Sequence, residues 1–292
     1  VGDFVGKGLS YEYTRANSNI NVTVTGNRFS LVVVGDKTWS GDFQMPSSAT
    51  KLQVGTYSNL ERYPFHNPIF GGLSWSGDGR GCNTLKGSFT ISSVTYVGNV
   101  LKAIELSFEQ HCEGFTPALR GQIHWTAYDK TTAPGPVNPP PAELWAPAPG
   151  TTPATGNYIY LASDRGDYVG GGSSYLFTPD IVPMSATITG THLSVRGGYG
   201  VNTWDGDFVT MNSVTKLEPG YYGGLNRYPF NNPATGGLSW FGWGRGCNTL
   251  RGWFVVDQAT YSGTTLKSID LRFEQHCEGW TPALRGKVHW VF

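Results

Sequence analysis

The sequence predicts an all-β protein of two tandem antiparallel β-sandwich or barrel-like domains, each closed by one disulfide. Three observations predict it: apolar residues alternate with period two, the chain repeats itself, and its four cysteines recur at one spacing.

The repeat sets the organisation. Gly71–Gly87 (GGLSWSGDGRGCNTLKG) and Gly236–Gly252 (GGLSWFGWGRGCNTLRG) agree at 14 of 17 positions, at an offset of 165 residues. Phe108–Gly121 (FEQHCEGFTPALRG) returns at the same offset as Phe273–Gly286 with one change, and Arg62-Tyr63-Pro64-Phe65 returns as Arg227-Tyr228-Pro229-Phe230. Near the start the offset is 164, where Gly2-Asp3-Phe4-Val5-Gly6 meets Gly166-Asp167-Tyr168-Val169-Gly170. The domains are therefore drawn at 1–130 and 157–292, with a Pro-rich linker over 131–156. Prolines at that density fit neither a helix nor a central strand and favour an extended, polyproline-like spacer. Leu144 and Trp145 interrupt it and are suited to dock it onto a domain. Tyr158-Ile159-Tyr160-Leu161-Ala162 has no counterpart before Gly2, so the first copy lacks a leading strand or its equivalent was removed. The opening at Val1-Gly2-Asp3, with no apolar leader, reads as a mature or trimmed product.

Within each copy, Ile20–Thr25 alternates cleanly, breaks at Gly26-Asn27, and resumes at Phe29, Leu31 and Val33, which predicts a hairpin. Ala186–Thr189, Gly190, Leu193 and Val195 repeat the pattern. Further strands are expected at 87–96, 101–110 and 122–125 and their equivalents. Cys82 and Cys112 stand 30 apart, as do Cys247 and Cys277, so the simplest pairing is one disulfide within each copy. A zinc site is the rival, weakened by the absence of CxxC spacing. Disulfides imply an oxidising, extracellular setting. Asn21-Val22-Thr23 is a glycosylation sequon.

Composition excludes some partners. The 21 basic residues balance 21 acidic ones without a block of either sign, so the electrostatic footprint of a nucleic-acid binder is missing. No run of 18 apolar residues exists to span a bilayer as a helix. Gly (40 residues) and aromatics (14%) are abundant and charged residues scarce (14%), as suits a turn-rich β protein. Nothing in the chain sets an oligomeric state.

Two constellations carry chemistry. On a strand, Glu109, His111 and Glu113 share one face while Phe108, Gln110 and Cys112 share the other; Glu274, His276 and Glu278 repeat the row. Two carboxylates flanking an imidazole are suited to a divalent metal, to sugar hydroxyls, or to acid–base work. The structural alternative is an ion-pair network with Arg120 or Arg80, or with Arg285 in the second copy. The second constellation is the Gly-rich turn GDGRGCNTL, which presents Asp78, Arg80 and Asn83, and in copy two Trp243, Arg245 and Asn248. It is no phosphate loop, lacking GK[ST] and a following helix. Copy two adds aromatics: Phe241 for Ser76, Trp243 for Asp78, Trp253 for Ser88 and Trp280 for Phe115. Exposed rings stack on pyranose faces, and Gly/Asn/Asp loops supply hydroxyl-directed bonds, although tryptophans in a β protein are also core residues. Arg62 and Arg227 are expected to anchor the RYPF loop through Asp42 or Asp207. No nucleophile elbow, HExxH, Ser-His-Asp order or cofactor fingerprint is present, so no catalytic residue and no cofactor is assigned.

Together GDYVGGG, GRGCNTL and FEQHCEG resemble a repeated β-domain of secreted bacterial proteins. That resemblance covers both copies, carries no assigned activity, and implies a bacterial extracellular setting. Duplicated small β-domains gain avidity by linking weak sites. The expected function is therefore a secreted, lectin-like protein with two related modules that bind a glycan or polysaccharide. The alternatives are a non-enzymatic structural or adhesive module that binds protein partners, and a glycan hydrolase using Glu109 and Glu113.

Overall fold

Strands form where the period-two pattern places them. The computed structural model describes residues 2–292; the opening residue Val1 lies outside the described residues. The chain divides into two units, Val1–Thr132 and Ala133–Phe292. Unit one contains β1 (Asn19–Thr25), β2 (Arg28–Val34), β3 (Thr38–Gln44), β4 (Gly55–Arg62), β5 (Gly72–Gly77), β6 (Leu85–Val97), β7 (Val100–Cys112) and β8 (Leu119–Thr126). Unit two contains β9 (Tyr158–Ser163), β10 (Ser174–Phe177), β11 (Met184–Thr189), β12 (His192–Gly197), β13 (Trp204–Val209), β14 (Gly220–Arg227), β15 (Gly237–Gly242), β16 (Leu250–Ser262), β17 (Thr265–Cys277) and β18 (Leu284–Val291). Among the described residues the one helical element is the three-residue turn Gly200–Asn202, and no helix is long and apolar enough to cross a membrane.

Of the two expected architectures, the barrel-like one is observed. Unit one is a single eight-stranded sheet in the order β1-β2-β3-β5-β4-β6-β7-β8, and unit two a ten-stranded sheet ordered β10-β9-β18-β17-β16-β14-β15-β13-β12-β11. Neighbours pair antiparallel, apart from a two-residue parallel contact of β4 with β5 and of β14 with β15. Phe29 of β2, Phe43 of β3, Leu73 of β5, Phe89 of β6, Phe108 of β7 and Ile123 of β8 all join one buried cluster. A flat sheet would keep the first and last of these strands far apart, so one face has curled around the core. Unit two builds the same cluster with Leu193, Phe208, Leu238, Phe254, Phe273 and Val288, and adds Ile159 and Leu161 from β9.

Curvature depends on glycines directly opposite large rings. Gly41 pairs with Trp75, and a Cβ on it would stand 2.5 Å from the indole Cε3; Gly206 lies under Trp240 in the same way. A second internal tie is Gln110, 1% exposed. Its amide accepts from Trp75 N (2.9 Å) and donates to Trp75 O (2.8 Å), joining β7 to β5, which are not sheet neighbours. Gln275, fully buried, does the same for Trp240 (2.9 and 2.8 Å). The disulfides Cys82–Cys112 and Cys247–Cys277 form within the units, and the described residues include no free cysteine.

The Pro-rich stretch belongs to unit two over most of its length. Val137 and Tyr221 exchange two backbone hydrogen bonds (2.9 and 2.8 Å), Ser213 Oγ donates to Pro134 O, and Arg272 Nη1 donates to the carbonyls of Leu144 (3.2 Å) and Trp145 (2.7 Å). Leu144 and Trp145 thus dock as their apolar character suggests, but through their backbone carbonyls.

Candidate functional site

The Gly-rich loop is a tight hairpin turn. Gly77 and Arg80 exchange both backbone bonds (2.9 Å each), with Asp78 (φ 50°) and Gly79 (φ 73°) in the left-handed region, the geometry of a type I′ turn. Asp78 accepts from Arg80 Nη1 (2.7 Å) and lies 3.1 Å from Lys37 Nζ; the Arg80 bond above all holds its carboxyl below the usual range. Arg80 Nε donates to Val5 O (2.7 Å), pinning the GDFVG turn. In unit two Trp243 takes the Asp78 position at φ 53° with Gly244 at 70°, which is strained for so bulky a residue. Its ring packs against Tyr175 (5.7 Å) and Trp204 (6.1 Å), with the Arg245 guanidinium 5.5 Å from its centre. Asp78, Arg80, Trp243 and Arg245 therefore work first on their own turn.

The Glu-His-Glu row does not hold together as a row. β7 ends at Cys112, and Glu113 adopts φ 55°, which turns its side chain out of the strand face. Its carboxylate accepts from Asn83 N (2.5 Å), Thr84 N (3.2 Å) and Thr84 Oγ1 (2.9 Å), bonds that lower its pKa, the Thr84 hydroxyl first. Glu278 closes the Asn248–Thr249 turn identically, again with a lowered pKa caused first by the Thr249 hydroxyl. The carbonyls of Asn83 and Asn248 accept from Arg62 (3.1 Å) and Arg227 (3.3 Å), not the Asp42 and Asp207 carboxylates expected to receive those arginines.

What remains of the row is a triplet. His111 Nε2 meets Glu109 Oε1 at 2.9 Å, His111 Nδ1 meets Phe115 O at 3.1 Å, and Arg120 Nε donates to Glu109 Oε2 at 2.6 Å. Only a protonated imidazole donates from both nitrogens, so these acceptors, Glu109 foremost, raise the His111 pKa. The His111 and Arg120 bonds in turn lower that of Glu109. In unit two Glu274 meets His276 (3.2 Å) and Arg285 (2.5 Å), and Arg285 also holds Asp164 (2.6 Å). Among the described residues no group of three or more His, Cys, Asp or Glu side chains is arranged to hold a metal ion.

A cluster that the sequence reading did not assemble lies on β12, β13 and the residue just past β14. His192 Nε2 (2.8 Å) and Ser194 Oγ (2.7 Å) both bond Asp207 Oδ1, and the Tyr228 ring packs 4.6 Å from the His192 ring. Ser194 also contacts that same imidazole nitrogen (3.0 Å), so serine and aspartate do not flank the ring as a proton relay requires. Beside the cluster a pocket of about 530 Å³ is lined by Asp207, Arg227, Tyr228, Ser239, Phe241 and Asn248. In unit one Ser30 bonds Asp42 (2.7 Å), Arg28 Nε stands 3.9 Å from Asp42, and the Arg28 guanidinium lies 5.0 Å from the Tyr63 ring centre. The signal in the sequence was the facing pair Ser194 and Asp207, visible once the strands are in register.

No family model, curated protein or solved structure matches this chain.

Proposed function

We propose that this is a secreted carbohydrate-binding, lectin-like protein with one related site in each unit. The observation that supports the reading is the pocket beside Tyr228. It sets two aromatic rings, Tyr228 and Phe241, among Asp207, Arg227, Ser239 and Asn248 in about 530 Å³. Rings of this kind stack on the C–H face of a sugar, while carboxylate, guanidinium and amide groups bond its hydroxyls. Phe241 is 40% exposed, so a face is open to solvent. The related framework in unit one carries Ser76 in place of Phe241 and Arg28 in place of His192, so the two sites differ in preference. The two disulfides and the bacterial extracellular setting implied by the motif resemblance support secretion.

The hydrolase alternative loses its second carboxylate, because Glu113 is committed to the Asn83–Thr84 turn. The reading of an adhesive module for protein partners draws instead on β8, which ends its sheet.

Glycan-array screening followed by calorimetry tests the carbohydrate reading. Binding that Phe241→Ala and Asp207→Asn each weaken about tenfold or more is expected. Silence across the array and against soluble polysaccharides overturns it.

A further inference from the structure

The two sheets differ around one strand position. In unit two, β9 lies between β18 and β10, pairing from Leu284↔Ser163 to His289↔Tyr158 on one side and from Ser174↔Ala162 to Phe177↔Ile159 on the other. Ile159 and Leu161 point inward and are fully buried. In unit one both flanks of this position are present and nothing among the described residues stands between them. β8 is the last strand of its sheet. Leu9–Tyr13 occupies the place of β10: Tyr11 packs 4.8 Å from Trp39, as Tyr175 packs 4.9 Å from Trp204. A cavity of about 780 Å³ opens there, its inner wall formed by Tyr11, Tyr13, Trp39, Leu119, Ile123 and Trp125.

We propose that this groove is a strand-docking site that takes an extended polypeptide segment with the chemistry of Tyr158–Asp164, antiparallel to β8. Unit two supplies the template for the fit. Val288 faces Ile159 and Gly286 faces Leu161; the corresponding residues of β8 are Ile123 and Gly121. One bulky apolar side chain thus packs against Ile123, and the next lies beside the Phe108 ring that covers Gly121, as Leu161 lies beside Phe273 at Gly286. An edge strand offers unpaired N–H and C=O groups for such an addition, and side-chain pockets at alternate positions select the sequence. Charge complementarity fixes the end. Asp164 Oδ1 accepts from Arg285 Nη1 (2.6 Å) and Asp164 Oδ2 from Ala283 N (3.1 Å). Among the described residues Arg120, the residue matching Arg285, holds Glu109 alone, and it leaves 69% of its side chain exposed. The docked segment therefore ends on a carboxylate that meets Arg120. This groove and the pocket beside Tyr228 lie on different strands, so failure of either reading leaves the other standing.

The test titrates a synthetic peptide of residues 157–164 (Asn-Tyr-Ile-Tyr-Leu-Ala-Ser-Asp) into the 292-residue chain, with hydrogen exchange read strand by strand. Saturable slowing of exchange in β8 is expected, with no change in β18, which β9 already covers. A peptide carrying Ile159→Asp and Leu161→Asp leaves β8 unchanged. Arg120→Gln in the protein, an exposed position whose fold is checked by circular dichroism, weakens binding about tenfold. Unchanged β8 exchange at saturating peptide overturns the proposal. So does concentration-dependent protection of β8 without peptide, together with a dimer in sedimentation, since that assigns the groove to a second copy.

Discussion

The FEQHCEG segment occurs twice with the same sequence and the same sheet register, yet its two settings differ. In unit one the Glu109 side chain is 39% exposed and Arg120 69% exposed; in unit two Glu274 and Arg285 fall to 18% and 23%. Nothing within the motif explains this. The difference comes from both flanks: on β16 Trp253 replaces Ser88 opposite the glutamate and its indole N–H donates to Glu274 Oε1 (3.4 Å), and after β9 Asp164 supplies Arg285 with a second carboxylate. The environment of a charged row is thus set by the neighbouring strand as much as by its own residues.

Replacing both inward residues of β9, Ile159→Asp with Leu161→Asp, puts the comparison under the greatest load. Two carboxylates in the unit-two core should cost about 5 kcal/mol or more, unfolding that unit while the first still melts in place. Scanning calorimetry reads this directly. A unit two that survives the change would make β9 a cover and not a structural member. Next come the disulfides. Each closes a span of 30 residues, so Cys82→Ala/Cys112→Ala and Cys247→Ala/Cys277→Ala should each cost their unit roughly 3–4 kcal/mol. Unequal losses in denaturant titrations would show that the units differ in more than the seam. Gln275→Leu strands the backbone N–H and C=O of the buried Trp240, and Gln110→Leu those of the partly buried Trp75, for about 2–3 kcal/mol in the first and less in the second by the same measurement.

The smallest effect is electrostatic. Glu109 has a lowered pKa, so its contribution is present above the ordinary 4.5 and is lost as pH falls through the depressed value. His111 has a raised pKa, so its contribution is present below the ordinary 6.5 and is lost as pH rises through the elevated value. Between these limits the pair stabilises unit one by under about 1 kcal/mol, because solvent screens so exposed a site. Melting temperatures of His111→Asn against the parent should converge above pH 8 or so and separate near pH 6. A constant gap across that range would place the effect in packing instead.

Much of the fold was legible because it rests on repetition. A period-two pattern, a duplicated block and a duplicated cysteine spacing are each redundant, and the strands and disulfides follow from them. Tyr158–Ala162 was legible as a strand of the second copy, but not that a cavity stands at the matching position of unit one, which needs the fold to bring Leu9–Tyr13 opposite β8. The site was less legible. Strand alternation carried one residue too far put Glu113 on the Glu109 face, whereas a single left-handed φ after Cys112 sends it to the turn at Asn83. Gln110 shared a face with Phe108 and Cys112 but had no role there, because its tryptophan partner, like that of Gln275, is 35 residues away in sequence and on a strand that is not a sheet neighbour.

The Pro-rich stretch, finally, has a mechanical meaning. A pull arriving along the chain from Thr132 reaches the Val137–Tyr221 pair and the Arg272 grip on Leu144 and Trp145 before it reaches β9. The load is taken first by a clamp on β14 and β17, two interior strands of the sheet, and extended prolines have little slack to give. The strand that completes the second sheet sits behind a strain relief.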